Sequence, residues 1–391
     1  MKAFWQKLKP FPLIIAFFGF LLVYSVGDCF ARANPRDEYE NRNLAQFPPF
    51  SWKALVTNEW TRDYEEYVQD QFLLRHQWIV LKSVAESALL RTENNNVVYG
   101  ADGYQFYKFT TLAPAANGAG TQLQQNTEAL NRFAARHPGQ VTVMVVPSAA
   151  NILADKLPAG APLLEENPYL DQLLEALATT AATVDVREAF RAHADEYLYY
   201  RTDHHWTTDG AFLAYQTAAD ALGLGGFDPA AFDRREVPGF TGTNYNKSLK
   251  FDTVPDTLAY YDMDVTLTVK EFLTDGTEYS AQPGPLYDAS QLQGRDKYAM
   301  FLRGNNGYST IDGAAANGRR ILVIKDSYAN CFVPFLTADY EQIDVVDLRY
   351  WKYNVENLID RFAYDDILVL YNFQTFSSET TLFYLNAMVQ S

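Results

Sequence analysis

Two short polar segments of the sequence carry residues that could catalyse a reaction. The first is Asp-His-His-Trp at 203–206, where a carboxylate and two imidazoles share one loop before a predicted helix. The second is Lys-Asp-Ser-Tyr at 325–328, where a serine directly follows an apolar strand. A serine nucleophile needs a base within hydrogen-bond reach and a carboxylate that fixes the tautomer of that base. Asp203 and His205 could serve Ser327 in this way, which predicts a serine enzyme.

Each segment also fits a role without catalysis. Asp326 or Ser327 could cap the helix that follows. The other loop could be a solvated cap, with residues 207–208 beginning the next helix, or a metal site that uses both histidines. From the residues alone, His204 remains an alternative to His205 as the base.

The elements that must position these segments alternate between strands and helices. Continuous apolar runs predict buried strands at 141–146, 321–324, 343–348 and 367–371. Helical patterns separate the strands, which predicts an α/β domain with a mostly parallel sheet and helices on both faces. Reactive groups of such sheets gather beyond the carboxyl ends of the strands, where Ser327 lies. Short alternating runs at about 225–320 predict an inserted β-rich section that flanks the site.

The amino terminus predicts export. Lysines at 2, 7 and 9 precede an apolar run at 13–26, and this pattern directs the rest of the chain across a membrane. We expect a retained signal anchor within residues 1–33, with the catalytic part outside the cell membrane. Ala-Arg-Ala at 31–33 resembles a cleavage site, and cleavage there would make the protein secreted. A linker and helical stalk at 34–96, including a helix at 60–90, would connect the anchor to a catalytic domain at 97–391.

Composition excludes several classes of protein. The 391 residues carry a formal net charge of −16, which repels phosphate backbones and argues against a nucleic-acid partner. The two cysteines, Cys29 and Cys331, are too few for a disulfide framework and are expected to be free thiols. Cys331 fits a buried helix residue better than a second nucleophile. The chain has no CxxC, HExxH or Cys/His cluster, so we expect no structural metal and no cofactor.

Longer segments of the chain carry a family resemblance. The Asp-His-His-Trp segment, preceded by Tyr-Tyr-Arg-Thr at 199–202, resembles the signature of the DHHW protein family. This family is similar to the SGNH-hydrolase-like domains of alginate O-acetylation proteins. Further segments that carry the resemblance lie at 40–45, 70–75, 99–104, 147–150 and 325–328.

The resemblance implies an SGNH-hydrolase-like three-layer sandwich. In it, Ser327 would be the nucleophile, His205 the general base and Asp203 the residue that orients the base. The Asp/His segment precedes the serine here, as in the acetylation relatives, whereas the usual SGNH order is the reverse. Lys325 departs from the family pattern because the common block has glycine at this position.

Residues at neighbouring strand ends are the candidates for the oxyanion hole and the pocket. Asn372 closes the strand at 367–371 and is the counterpart of the SGNH asparagine. Arg349 and Tyr350 follow the strand at 343–348 and are expected to line the pocket. Asn305 lies in a Gly/Asn turn and is a second candidate, although its position also fits simple turn chemistry.

The resemblance implies acyl transfer on a polysaccharide outside the cell. The protein would be an O-acetyltransferase or an acetylesterase acting on a cell-envelope or exported polysaccharide. Its acetyl donor could come from a membrane-bound acyltransferase partner. The alternative is a non-catalytic protein that binds the polysaccharide or acts as a scaffold, and the 26 Tyr and 26 Phe residues suit sugar stacking as well as an ordinary core.

Overall fold

The computed structural model describes residues 11–37, 42–272 and 277–386. The lysines that flank the predicted anchor lie outside these ranges, as does part of the segment at 40–45. The chain divides into two compact units, of which one comprises Met1–Arg91 with Ser248–Phe251 and the other comprises Thr92–Lys247 with Asp252–Ser391.

The first unit is mainly helical. Its elements are α1 (Pro12–Phe30), β1 (Arg36–Asp37), β2 (Arg42–Asn43), α2 (Trp52–Val56), α3 (Glu59–Asp70) and α4 (Arg75–Ala88). The single helix predicted at 60–90 is wrong, because Leu74 adopts a left-handed φ of 60° and divides this region into α3 and α4. In α1, the Tyr24 hydroxyl donates a hydrogen bond to the Leu73 carbonyl at 2.6 Å.

None of the helices in residues 11–37, 42–272 and 277–386 combines the length and the apolarity needed to cross a membrane.

The second unit alternates strands and helices. Its strands are β3 (Glu93–Asn94), β4 (Val97–Tyr99), β5 (Gln105–Tyr107), β6 (Val141–Val146), β7 (Ala182–Thr183), β8 (Arg234–Phe240), β9 (Asp256–Tyr261), β10 (Thr266–Phe272), β11 (Glu278–Pro285), β12 (Tyr308–Asp312), β13 (Arg320–Lys325), β14 (Gln342–Val346) and β15 (Asp366–Asn372). Its α-helices are α5 (Gln122–Arg136), α6 (Ala149–Ile152), α7 (Asn167–Leu177), α8 (Arg187–Ala192), α9 (Thr208–Thr217), α10 (Ala219–Leu222), α11 (Thr243–Ser248), α12 (Val333–Leu336), α13 (Glu356–Phe362) and α14 (Phe373–Phe376).

The central sheet has eight strands in the order β11-β10-β12-β14-β13-β15-β6-β7. The strands from β14 to β7 are parallel to one another. In contrast, β11, β10 and β12 pair antiparallel at the β14 edge. The prediction of a mostly parallel sheet therefore needs correction to a mixed sheet. The section at 225–320 does not merely flank the sheet, because its β10–β11 hairpin and β12 extend it.

The middle of this sheet is covered on both faces. Every residue of β6 is buried, and alternate residues of β13 face different apolar clusters. Ile321 and Val323 pack in the cluster that contains residues of α9, whereas Leu322 and Ile324 pack in the cluster that contains residues of α5. Helices therefore cover both faces of the sheet, and the carboxyl end of β13 leads directly to Ser327.

Candidate active site

The serine follows a turn that is held by a buried carboxylate. Asp326 caps the short 3₁₀ helix Ser327–Cys331, because its Oδ1 accepts a hydrogen bond from the Tyr328 amide at 2.9 Å. Its Oδ2 accepts another from the Asn372 amide at 2.9 Å, which ties this turn to the end of β15. Burial raises the pKa of Asp326, and the two amide donors oppose that rise. Capping by Asp326 leaves the Ser327 hydroxyl available for another partner.

The partner of that hydroxyl is His205. Its Nε2 lies 2.8 Å from Ser327 Oγ, and its Nδ1 lies 2.5 Å from Asp203 Oδ1. Only 5% of His205 and 3% of Asp203 are exposed. When the proton of His205 is on Nδ1 and is donated to Asp203, Nε2 can accept the proton of Ser327. The structure therefore brings the three predicted residues together in the order serine, histidine, carboxylate.

Asp203 is fixed by donors on both of its oxygens. Oδ1 also accepts a hydrogen bond from the His205 amide at 2.9 Å, and Oδ2 accepts one from the Thr243 amide at 2.7 Å. A β-carbon on Gly242 would lie 2.2 Å from Oδ2, so this approach requires glycine. Burial favours the protonated carboxyl, but His205, His204 and these donors outweigh it and hold the pKa of Asp203 far below its ordinary value. Asp203 is therefore an anion.

His204 occupies a different position from His205. Its Nδ1 lies 2.7 Å from Thr243 Oγ1, and 35% of its side chain is exposed. Burial lowers the pKa of His204, and repulsion by His205 lowers it further. Within the described residues, the histidine that contacts Ser327 is His205.

The same loop has the spacing of a possible metal site. Asp203, His204 and His205 place one ligand atom each within 4.8 Å of one another. A carboxylate and two imidazoles are ordinary ligands of Zn²⁺. Because Asp203 Oδ1 already accepts two hydrogen bonds from His205, a metal ion would compete with the contacts that orient the base.

Asn372 serves as a cap in this structure. Its Oδ1 accepts a hydrogen bond from the Gln374 amide at 3.0 Å, and its Nδ2 donates to the Val146 carbonyl at 3.3 Å. These contacts hold the end of β15 against the end of β6. The bond to Val146 uses one of the two Nδ2 hydrogens, so a donation from Asn372 to an oxyanion stays a prediction.

Two of the predicted pocket residues, Asn305 and Arg349, belong to a polar network around Lys325 and Asp347. Lys325 Nζ lies 2.7 Å from Asn330 Oδ1, 3.1 Å from Asn305 Oδ1 and 3.5 Å from Asp347 Oδ2. Arg349 binds the same carboxylate of Asp347 through two hydrogen bonds of 2.6 and 2.9 Å. Asn305 therefore holds Lys325 and Arg349 holds Asp347, and the structure gives Lys325 a buried position in this network.

Tyr350 lies at the outer side of this network. Its side chain is 56% exposed, and the guanidinium of Arg349 lies 5.6 Å from the centre of its ring. The ring is thus available to solvent.

A small cavity adjoins the Asp/His loop. It has a volume of about 20 Å³ and is lined by residues that include Gln105, Ser148, Asp203, His204, Tyr328 and Gln374. A cavity of this size has room for about one water molecule. Behind it, the Ser148 amide donates a hydrogen bond to the buried Glu166 Oε2 at 2.9 Å.

The buried carboxyl of Glu166 should make the stability of the protein depend on pH. Burial raises the pKa of Glu166 from 4.5 to about 7, although the Ser148 amide opposes this. Between these values the unfolded chain has lost the proton that the folded chain keeps, so the free energy of unfolding should fall as the pH rises from 4.5 to 7. The contribution is on the order of 3 kcal/mol.

Urea unfolding of the wild type and of Glu166→Gln at a series of pH values would measure this effect. Glutamine has the shape of the protonated acid, and its oxygen can still accept from Ser148. We expect a flatter profile for Glu166→Gln. Parallel profiles for the two proteins would contradict the assignment.

Some residues of the site carry no signal in the sequence. Gly242 and Thr243 hold Asp203 from a loop in the section at 225–320, and Tyr298 contacts His205 from the 3₁₀ helix Lys297–Met300 of the same section. The Thr-Gly-Thr at 241–243 has the composition of an ordinary turn. Only the tertiary structure shows that these residues meet the loop at 203–206.

Comparisons with solved structures identify proteins of the same fold. A DHHW family protein from Eubacterium siraeum DSM 15702 is 24% identical, with a TM-score of 0.63, over 76% of this chain and 98% of that chain. Bacillus cereus PatB1 is 21% identical, with a TM-score of 0.58, over 73% of this chain and 98% of that chain. Its structure with a sulfonyl adduct is 20% identical, with a TM-score of 0.59, over 75% of this chain and 98% of that chain.

A comparison with curated proteins finds no match. The sequence model of the family described as "DHHW protein" matches residues 98–346, which is more than half of the chain and includes both polar segments of the site. The resemblance first seen at residues 203–206 is confirmed, and the chain belongs to the DHHW protein family.

Proposed function

We propose that this protein is a serine enzyme of SGNH type that transfers or removes acetyl groups on a polysaccharide. The observation that carries the proposal is the continuous chain of contacts from Ser327 Oγ through His205 to Asp203. A buried anion behind the imidazole and a serine at the end of a central strand are what a nucleophilic mechanism needs. The fold that this chain shares with the DHHW family protein and with PatB1 is consistent with that role.

The proposed reaction has two halves. Ser327 Oγ attacks the carbonyl carbon of an acetyl ester while His205 Nε2 takes the hydroxyl proton. The bond to the leaving alcohol then breaks, that alcohol receives the proton from His205, and Ser327 carries the acetyl group. In the second half, His205 removes a proton from a sugar hydroxyl or from water, whose oxygen attacks the acetyl carbon. The bond from Ser327 Oγ to that carbon then breaks, and His205 returns the proton to Ser327.

The nature of the acceptor decides between two enzymes. A sugar hydroxyl as acceptor makes the protein an O-acetyltransferase, and water makes it an acetylesterase. The net charge of −16 favours a neutral or cationic polysaccharide over an anionic one. In this proposal the protein acts outside the cell membrane and receives acetyl groups from a membrane-bound acyltransferase partner.

The test is turnover of a chromogenic acetyl ester by the purified full chain, with and without neutral oligosaccharides. We expect release of the chromophore by the wild type and only background release by Ser327→Ala. Acetylated oligosaccharide, detected by mass spectrometry, would assign a transferase, whereas acetate alone would assign an esterase. Binding of the oligosaccharide without any turnover would contradict the enzyme and favour the non-catalytic binding protein.

A further inference from the structure

Tyr298 touches both ends of the contact between base and nucleophile. Its ring stacks on the imidazole of His205, with centroids 3.9 Å apart and planes inclined by 12°. Its hydroxyl donates a hydrogen bond to the backbone carbonyl of Ser327 at 3.0 Å. We propose that Tyr298 is a positioning residue, whose ring holds the plane of the His205 imidazole and stabilises the imidazolium formed during turnover, an inference that rests on the proposed function.

The surroundings of Tyr298 keep its ring in place. The side chain is buried, with only 4% of the residue exposed. Tyr200 packs against it edge-on at 6.4 Å, and Phe301 packs at 5.2 Å. A ring held in this way cannot move aside without disturbing the aromatic cluster, so the face it offers to His205 is fixed.

The hydroxyl of Tyr298 remains a neutral donor. Burial foremost, and then the proximity of Cys331, raise the pKa of Tyr298 well above its ordinary value. Cys331 Sγ lies 3.3 Å from the hydroxyl, and burial raises the pKa of this thiol to about 12. Both groups are therefore uncharged near neutral pH, and Cys331 is not a thiolate nucleophile.

The stacked ring of Tyr298 restrains a rotation of the His205 imidazole that its two hydrogen bonds restrain only weakly. The bonds to Asp203 and Ser327 lie at opposite edges of the imidazole, whereas the stacked ring contacts its face. When His205 takes the proton of Ser327 it becomes a cation next to an aromatic face. That attraction corresponds to a factor of roughly 3 to 30 in rate.

The contact also gives the section at 225–320 a function. Tyr298 lies 29 residues before Ser327, in the 3₁₀ helix Lys297–Met300, and not in either polar segment. This section therefore contributes a side chain that contacts the base and the serine, in addition to the three antiparallel strands.

Two substitutions separate the ring from the hydroxyl. Tyr298→Phe keeps the stacked ring and removes the hydrogen bond to Ser327, whereas Tyr298→Leu removes the ring. Tyr287→Leu is the matched control, because Tyr287 is also a buried tyrosine that packs on Phe301, and its other aromatic neighbour in the described part of the chain is Tyr260 and not His205. The assay is acetyl-ester turnover by the full chain, with thermal melting and a proton NMR spectrum of the His205 Nδ1–H.

We expect kcat to fall about 10-fold in Tyr298→Leu, with KM changed less than about twofold. Tyr298→Phe should retain at least about a third of the wild-type kcat. Tyr287→Leu should lose as much melting temperature as Tyr298→Leu and keep its kcat. The downfield signal of His205 Nδ1–H should persist in Tyr298→Phe and broaden in Tyr298→Leu, because the imidazole then loses the ring stacked on its face and keeps only its hydrogen bonds and the packing of His204 and Tyr328.

Three results would overturn the inference. They are a kcat of Tyr298→Leu within twofold of the wild type, an equal loss of kcat in Tyr287→Leu, and an equal loss in Tyr298→Phe. If Tyr298→Leu does not fold, Tyr298→Met fills similar space and carries the same expectation. If the wild type shows no turnover that Ser327→Ala abolishes, the proposed function itself is refuted. The NMR signal would then still test the contact between Tyr298 and His205.

Discussion

Alanine at Ser327 or at His205 should reduce acetyl-ester turnover by at least about 10³-fold. The serine hydroxyl is a weak nucleophile at neutral pH and depends on the base that contacts it at 2.8 Å. Because the two residues act as a unit, the double variant should be hardly less active than either single variant. The kinetics of all three variants on one chromogenic ester would measure this.

Melting curves and matched substitutions control for loss of structure. Ser309→Ala replaces another buried serine of the same sheet, and His193→Ala replaces a histidine that is 46% exposed. Both should retain wild-type turnover. Full activity in a normally folded Ser327→Ala would show that Ser327 is not the nucleophile. Loss of turnover in His204→Ala without loss in His205→Ala would show that His204, and not His205, is the base.

Removal of the buried carboxylate of Asp347 should cause the largest loss of stability. Asp347 is fully buried and is the shared counterion of Lys325, which is 1% exposed, and of Arg349. Burial lowers the pKa of Lys325 and Asp347 opposes that fall, so in Asp347→Asn the Lys325 amine and the Arg349 guanidinium would both lose the charge that compensates their burial. Breaking a buried pair in this way typically costs about 3 to 5 kcal/mol in the free energy of unfolding. Urea denaturation would measure the difference.

A second substitution tests the cause of that loss. Lys325→Met, introduced into Asp347→Asn, removes the unpaired ammonium and should recover part of the lost stability. Asp171→Asn is the control, because its ion pair with Arg187 involves a carboxylate that is 65% exposed, and it should change stability little. Wild-type stability in Asp347→Asn would show that the network does not support this end of the sheet.

The parallel part of the sheet was predictable from the sequence. The run at 141–146 coincides with β6, and the runs at 321–324 and 367–371 lie within β13 and β15. These strands are covered on both faces, so nearly every position is apolar and the pattern is independent of distant residues. Ser327, His205 and Asp203 were found for a related reason, since a nucleophile and its base need particular residue types in short segments.

The rest of the sheet depends on contacts that no local pattern reveals. The strands β10 and β11 have mixed exposure, and the antiparallel position of β10, β11 and β12 at the β14 edge is set by tertiary pairing. The break between α3 and α4 carries no sequence signal, because Leu74, the residue before α4, has a left-handed backbone without being glycine or asparagine.

The roles of individual side chains were equally hidden. Asn372 ends its strand as predicted, yet its Oδ1 caps the next helix and its Nδ2 donates to the Val146 carbonyl, two contacts that the sequence does not indicate. Tyr298 lies in a four-residue 3₁₀ helix, which is too short to show a period. Its place beside His205 arises only when the section at 225–320 folds against the loop at 203–206.

The central claim is that Ser327 carries the acyl group. Sulfonyl fluorides react with activated serine nucleophiles, so such a reagent would probe Ser327. The full chain would be treated with methanesulfonyl fluoride, or briefly with an acetyl ester at low pH, and its peptides mapped by mass spectrometry. We predict one modified residue, Ser327, with no modification in Ser327→Ala and slow modification in His205→Ala. A wild type that turns over the ester while its adduct lies on another residue would contradict this account.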